Sequence, residues 1–364
     1  MTLQVAIHAG QLLQPFPGGI GRYVGKLIEA LPQADITPIP FAAGAPAQSI
    51  PNWVNLGFPY GRWRYEAWHR FRRPSLRVRK LDGGEPEVIH APSLAIPPHG
   101  RLPLVVTVHD LVFLENPDCL TPRGVAFHKR GLKIAIDEAA AFVVPSAWVA
   151  NRLEACGVDR ARIHVAHHGV DLDGVDLAVP DKSKEEQATN LPETFVLFVG
   201  TLEPRKGVAE LISALSQVRL EHPDIELVMA GPSGWGELPD LSASHVHWLG
   251  SVDDSMLDHL YRHALGLVLP SRNEGFGLPI LEAMIRGCPV IASEAACLPE
   301  IVGEAGTLVP VGNVETLAKA ICELTDQVHR KSLIQRGLAH AAGFTWQASA
   351  QSHAGAYSAA RATL

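Results

Sequence analysis

Two acids stand eight positions apart in "SRNEGFGLPILEAMIRGCPVIAS" (271–293): Glu274, then Gly275, Phe276, Gly277, Leu278 and Pro279, then Glu282. A carboxylate accepts several hydrogen bonds, which suits the neighbouring hydroxyls of a ribose. Gly275 and Gly277 let a backbone approach a ligand closely. Pro279 suits the first turn of a helix, where its missing N–H costs nothing. The segment Gly275–Leu278 then leads into a helix N-terminus, whose unpaired N–H groups and positive dipole end favour phosphate. This reading puts Glu282 in the first helical turn, on a ribose, and Glu274 in the loop before it, on phosphates or sugar. The competing reading makes Glu282 a dipole partner and Glu274 a solvated loop acid. A nucleoside diphosphate carrying a sugar accounts for both acids at once.

Other short stretches carry compatible chemistry. "GTLEPRKGV" (200–208) follows the strand Phe195–Val199 and precedes a helix at Val208, so Gly200, Thr201, Arg205 and Lys206 sit on a strand-to-helix loop. Arg as a fork and Lys as a point charge balance a diphosphate; the alternative is an exposed surface pair. "HAGQLLQPFPGGIGRY" (8–23) holds Gly18, Gly19, Gly21, Arg22 and Tyr23. It nearly matches G-x-G-x-x-G, with Val24 where the third glycine belongs, so a nicotinamide-dependent oxidoreductase is a rival. "VVTVHDLVF" (105–113) is read as a strand ending in His109 and Asp110, where a lone histidine is more often structural than functional. "DLD" (171–173) mimics a metal-binding D-x-D and is read as coincidence, with no metal required.

The elements that must position these residues are those of two α/β domains. Apolar runs alternate with helical patterns, which argues for parallel sheets with crossover helices. The first series has strands at Gln4–Ala9, Val88–Ala91, Leu104–His109, Ala141–Val144 and Ile163–Ala166, with helices at Ile20–Ala30 and Ser146–Ala155. The second has strands within 195–200, 225–231, 246–250, 265–271, 289–293 and 307–311. Between the series, "DLAVPDKSKEEQATNLPET" (176–194) is polar and proline-flanked and reads as a linker. The domains are drawn as 1–178, a linker 179–194, 195–343, and a closing helix 344–364. Ligands in such sheets bind beyond the carboxyl ends of the strands.

Bulk composition agrees. The chain has 364 residues, 47% hydrophobic and 19% charged, which suits two globular domains. A net charge of −7 argues against general nucleic-acid binding. Five cysteines, none spaced C-x-x-C, suggest a reduced setting. The start reads as a strand rather than a signal peptide, and no apolar run of about 18 residues is present, so the expected location is cytoplasmic.

Glu274 and Glu282, with seven residues between them, resemble the E-x7-E signature of retaining glycosyltransferases of GT-B fold. "EGFGLPILEAM", followed by "GCPVIAS" and "LPEIVGEAG", resembles glycosyltransferase family 4. The likeness is strongest over 195–327 and looser over the rest, and "GGIGRY" is similar to mannosyltransferase members. The resemblance implies a GT-B fold: two Rossmann-like domains whose parallel sheets face across a cleft. It implies transfer of a sugar from a nucleotide donor, GDP-mannose preferred, to a hydroxyl of a glycan or lipid-linked glycan, with no cofactor. Arg205 and Lys206 would stabilise the leaving pyrophosphate, His109 would bond a sugar hydroxyl, and Glu274 would contact donor sugar or phosphates. Gly19, Gly200, Thr201, Gly275, Phe276, Gly277, Leu278 and Glu282 would line the donor. Gly18, Gly21, Arg22 and Tyr23 would lie on the acceptor side. The last helix would cross back to the first domain, anchored by Trp346 and Tyr357. A GT-B sugar-nucleotide epimerase and a non-catalytic sensor remain as rivals. The basic, aromatic stretch 62–80 has two readings: a peripheral contact with an anionic membrane face, or a surface helix tucked under the first domain.

Overall fold

The computed structural model describes residues 2–14, 18–42, 44, 46, 49–55, 85–171, 191–234 and 236–363. The stretch 62–80, most of the linker and Asp173 lie outside the described residues. The chain divides into two compact units: Met1–Gly169 together with Trp346–Leu364, and Val170–Thr345.

The first unit contains β1 (Leu3–His8), α1 (Gly18–Ala30), β2 (Ile36–Ala42), β3 (Val54–Asn55), β4 (Val88–Ala91) and β5 (Leu104–Thr107). It continues with α2 (Val112–Glu115), α3 (Pro122–Glu138), β6 (Ala139–Val144), α4 (Ala147–Ala155) and β7 (Ile163–Val165). The strands form one parallel sheet in the order β3-β2-β1-β4-β5-β6-β7. Ser146 caps α4, its side chain accepting from the Val149 N–H, so the capping signal in the sequence is used.

β2 was not among the strands expected, because Pro38 and Pro40 interrupt it. The sheet accommodates both for a geometric reason. Phe41 O accepts from Ala9 N at 2.9 Å, so the odd residues of β2 point their backbone groups at β1. Pro38 and Pro40, of the other parity, turn their donorless nitrogens outward, where β3 pairs only with Phe41 and Ala42.

The second unit contains β8 (Phe195–Val199), α5 (Val208–Val218), β9 (Glu226–Ala230), β10 (Val246–Trp248), α6 (Asp254–His263) and β11 (Gly266–Leu269). Then come α7 (Leu278–Met284), β12 (Val290–Ser293), α8 (Leu298–Val302), β13 (Thr307–Val309), α9 (Val314–Glu323) and α10 (Gln327–Ala341). Its parallel sheet runs β10-β9-β8-β11-β12-β13. Strand order therefore reverses between β8 and β11, and the loops leaving these neighbours diverge around the point where such sheets bind ligands. Both units have this Rossmann-like order, and near-continuous apolar strands fill their cores, as parallel sheets covered on both faces require.

The last helix, α11 (Trp346–Arg361), belongs to the first unit. Trp346, Ala350, Ala356, Tyr357 and Ala360 join Val5, Ile7, Val105, Ala141 and Val143 in one buried cluster. Small residues let the helix lie close to the sheet.

Candidate active site

Lys206 and Glu274 meet where β8 and β11 end. Lys206 closes a short 3-10 turn, Pro204–Lys206, between β8 and α5. Glu274 lies between β11 and α7. The ammonium donates to the Glu274 Oε1 at 2.5 Å, and the Ser271 hydroxyl donates to the same oxygen at 2.8 Å. Lys206, Ser271, Asn273 and Glu274 are all buried. Arg205 donates from Nε to Glu203 at 2.7 Å and from Nη1 to the Asn273 carbonyl at 2.9 Å, and Nη1 stands 3.6 Å from the Glu274 Oε2. Burial works against ionisation of Glu274, but Lys206 and Arg205 outweigh it and hold the carboxyl below its ordinary range. Neither cation is the free surface group that one reading of the sequence allowed.

The two loops are tied by backbone as well. Arg272 N donates to Arg205 O at 2.7 Å. Gly207, at φ +71°, caps α5, and a Cβ there would stand 2.2 Å from the Pro270 carbonyl oxygen, so only glycine permits this approach. The Cys297 thiol, buried beneath, donates to the Glu274 carbonyl at 3.2 Å. These contacts hold the cations and the acid in one arrangement.

Gly277 caps α7 in the left-handed conformation, φ +89°, with Leu278 and Pro279 following as the first helical residues. Glu282 is the fifth residue of α7, not a residue of its first turn, and α7 has only seven residues. Its carboxylate therefore lies beyond the reach of a dipole-partner role, and so short a helix contributes less field at its start than the sequence reading assumed. Glu282 is instead buried, its Oε2 accepting from the Tyr261 hydroxyl at 3.0 Å. Tyr261 was not singled out in the sequence. Gly200 and Thr201 lie half-buried just after β8, and Phe276 is buried.

In the first unit the structure brings together residues far apart in sequence. β5 ends at Thr107, so His109 stands in the loop after it rather than on the strand. Its Nε2 donates to the Pro92 carbonyl at 2.9 Å, which leaves Nδ1 as the acceptor of a neutral ring. Burial keeps the His109 pKa below its usual value, and so keeps the ring neutral. Gly18 and Gly19 are exposed at the start of α1, Gly21 is buried and Arg22 half-buried. Gly18 follows the end of β1 by ten residues, unlike the tight strand-turn-helix that a dinucleotide fingerprint needs.

Tyr23 is not available to an acceptor. It is fully buried, with its ring edge-on to His109 at 4.9 Å. Its hydroxyl belongs to a chain of hydrogen bonds whose direction is determined. The Ser349 carbonyl can only accept, so the His353 Nδ1 carries the proton at 2.7 Å, and the neutral ring accepts at Nε2 from the Tyr23 hydroxyl, also at 2.7 Å. Tyr23 must then accept from Thr107 at 2.9 Å, Thr107 from the His90 Nε2–H at 2.8 Å, and the His90 Nδ1 from Tyr357 at 2.9 Å. Between the two ends, the Ser349 carbonyl and the Tyr357 hydroxyl, every group gives one proton and takes one. The chain ties α11 to α1, β4 and β5. Burial depresses the pKa of His90 and of His353, the latter to about 4.

Two Rossmann-like units, each built on its own parallel sheet, with buried cations at the strand-order reversal of the second, define a protein of the GT-B glycosyltransferase class. Residues 193–327 match the model described as "Glycosyl transferases group 1", and residues 17–173 match "Glycosyltransferase Family 4". The phosphatidyl-myo-inositol mannosyltransferase of Mycolicibacterium smegmatis is 30% identical over 363 residues, covering 91% of this chain and 87% of that one. The O-antigen chain mannosyltransferase B of Escherichia coli is 28% identical over 293 residues, 77% of this chain and 76% of its own. The match to the D-inositol 3-phosphate glycosyltransferase of Mycobacteroides abscessus spans 60% of that relative's length. Among solved structures, Anabaena HepE in complex with UDP-glucose superposes with a TM-score of 0.70 at 20% identity, over 98% of this chain and 99% of that one. The chain belongs to glycosyltransferase family 4. No helix among the described residues is long and apolar enough to cross a membrane.

Proposed function

We propose that this glycosyltransferase is a retaining enzyme that transfers a hexose, mannose preferred, from a nucleoside-diphosphate sugar to a hydroxyl of a glycan or lipid-linked glycan, without metal or other cofactor. The observation that carries the donor reading is the buried Lys206–Glu274 pair with Arg205 beside it, on the two loops where strand order reverses. A buried ion pair is poor value as a source of stability. Cations held in place at a ligand-binding position are good value for a leaving group that gains negative charge. The preference for mannose is supported by the two mannosyltransferase relatives.

In the step envisaged, the bond from the sugar C1 to the diphosphate oxygen breaks and a bond from C1 to the acceptor oxygen forms on the same face. The acceptor proton passes to the departing diphosphate, so no separate general base is called for. Arg205 and Lys206 stabilise the charge left on the diphosphate. The backbone of 275–278 lines the phosphates, Glu274 orients Lys206 and contacts the donor, and Glu282 accepts from the ribose hydroxyls. His109, with Nε2–H committed to Pro92, offers Nδ1 to a sugar hydroxyl. Removing one leaving-group contact should cost about 3 kcal/mol, roughly a hundredfold in rate.

The test is a panel of GDP-, UDP- and ADP-sugars, assayed for transfer with glycan and lipid-linked acceptors, with the product anomer read by NMR. Calorimetry of donor binding to Lys206→Ala and Glu282→Ala accompanies it. Unchanged binding in both variants removes the site; an inverted product anomer removes the retaining mechanism.

A further inference from the structure

Glu282 is held in a way that a mere core acid does not need. On α6, Tyr261 is almost fully buried and donates its hydroxyl to the Glu282 Oε2 at 3.0 Å. Arg286 follows α7, with its guanidinium carbon 5.4 Å from the Tyr261 ring centre. The Arg286 Nη1 donates to the Glu282 backbone carbonyl at 2.9 Å, and its Nε to Asp258 at 2.8 Å. The other Asp258 oxygen accepts from Arg262 at 2.7 Å. Glu282 is thus held from two sides: from α6 the phenol holds the carboxylate, and from the end of Glu282's own helix Arg286 holds the peptide carbonyl and covers the phenol ring.

The terminal torsion of a glutamate is broad, so its oxygens sweep an arc unless something fixes the carboxylate plane. Recognition of two adjoining hydroxyls needs both oxygens held at set positions, because ordering a side chain at the moment of binding subtracts from affinity. A buried phenol does this without neutralising the acid. Burial and the Glu282 charge both raise the Tyr261 pKa well above its usual value, so the group stays a donor. A lysine in the same place would compete with the ligand as a cation; a phenol fixes geometry and leaves the acid an acceptor.

We propose that Tyr261 is a positioning residue for ribose recognition: by fixing the Glu282 carboxylate it makes the donor site select a ribonucleotide over its 2′-deoxy form. This rests on the reading of Glu282 as the ribose acceptor. The site takes nucleotides with both ribose hydroxyls, and Tyr261 acts through Glu282 and touches no ligand.

The experiment measures binding of GDP, UDP and ADP and of their 2′-deoxy forms by calorimetry, keeping the base that binds most tightly. The proteins are the unchanged chain, Tyr261→Phe, Glu282→Gln and the double variant. The unchanged chain is expected to prefer the ribonucleotide by at least tenfold. Tyr261→Phe is expected to lose most of that preference while its affinity for the deoxy form stays within about twofold, which also shows that the variant is folded. In the Glu282→Gln background, Tyr261→Phe is expected to change the ratio no further. A ratio unaltered by Tyr261→Phe but lost in Glu282→Gln overturns the role of Tyr261 and spares that of Glu282. Losses that multiply in the double variant show that Tyr261 acts independently, which also overturns the inference. A ratio unaltered by Glu282→Gln overturns the underlying assignment of Glu282. If Tyr261→Phe does not fold, Arg286→Lys, which weakens the cap on the phenol ring, is measured in its place and must narrow the same ratio.

Discussion

The directed hydrogen-bond chain through the first unit opposes an extra proton on His353. His353 spends Nδ1–H on the Ser349 carbonyl and receives the Tyr23 hydroxyl at Nε2. Protonating Nε2 sets a donor against the Tyr23 hydroxyl, and the conflict is relieved only if Tyr23, Thr107 and His90 all reverse, which moves the His90 proton to Nδ1 and turns Tyr357 from donor to acceptor. Burial, then the nearby His109, push the His353 pKa down, and the Ser349 carbonyl only partly opposes them, leaving it at about 4 against 6.5 in the unfolded chain. The folded state therefore binds fewer protons than the unfolded state between these values. The stabilisation is fully present above pH 6.5 and drains away as pH falls toward 4. The gap corresponds to about 3 kcal/mol. His90 and His168 are depressed in the same direction and add to the loss.

His353→Gln isolates the contribution, since the amide keeps an acceptor for Tyr23 and does not titrate. Hydrogen exchange of peptides from Trp346–Arg361, corrected for the intrinsic rate, reads the opening of α11 directly. From pH 7.5 to 4 the unchanged chain should lose about a hundredfold more protection than His353→Gln, which is the same 3 kcal/mol expressed as a ratio. Carboxylates and the other histidines titrate in both proteins and cancel. Equal losses in the two proteins would refute the reasoning.

Other outcomes follow from the second unit and from the same chain. Lys206→Ala strands a buried carboxylate and should destabilise the second unit by about 3–5 kcal/mol in urea unfolding, whereas Lys206→Ala with Glu274→Gln should recover part of that. Because Lys206 and Arg205 hold the Glu274 pKa down, the stability it contributes is present above the ordinary carboxylate pKa and is lost as pH falls through the folded value; Glu274→Gln should flatten that acid limb. Gly207→Ala drives a Cβ to 2.2 Å from the Pro270 carbonyl and should lower the melting temperature of the second unit through a cost of about 2–4 kcal/mol. Thr107→Val removes the donor to Tyr23 and the acceptor of His90, and should cost about 1–3 kcal/mol, with faster exchange in α11.

What the sequence made legible and what it hid separate by range of interaction. Strands such as β8, β11 and β12 are short unbroken apolar runs bounded by glycine or proline, and the helices between them carry their own caps, so local pattern and final structure agree. That Arg205, Lys206 and Glu274 come together could be anticipated because they stand on the loops that follow β8 and β11, whose ends the apolar runs mark. β2 was missed because its proline signal is decided by which neighbour each nitrogen faces, a property of the sheet and not of the segment. Glu282 was placed one turn too early because the helix was read as starting at Pro279, whereas α7 begins one residue sooner, at Leu278, directly after a left-handed Gly277.

Tyr23 shows the limit most sharply. The family resemblance put it on the acceptor side, whereas Tyr23 lies within α1 on the face that turns inward. Its partners come from positions 107 and 353, and the chain they form closes through residues 90 and 357. No local window contains these pairings. The same holds for Tyr261 and Glu282, 21 residues apart and on different helices. In each case a short motif supplied the charged or hydroxyl group, and a residue from a distant segment supplied its orientation. For a reaction that depends on placing fixed charge around a leaving group, orientation is half of the chemistry. Substitutions at Tyr261 or His353 should accordingly be harder to anticipate from sequence than those at Lys206 or Glu274.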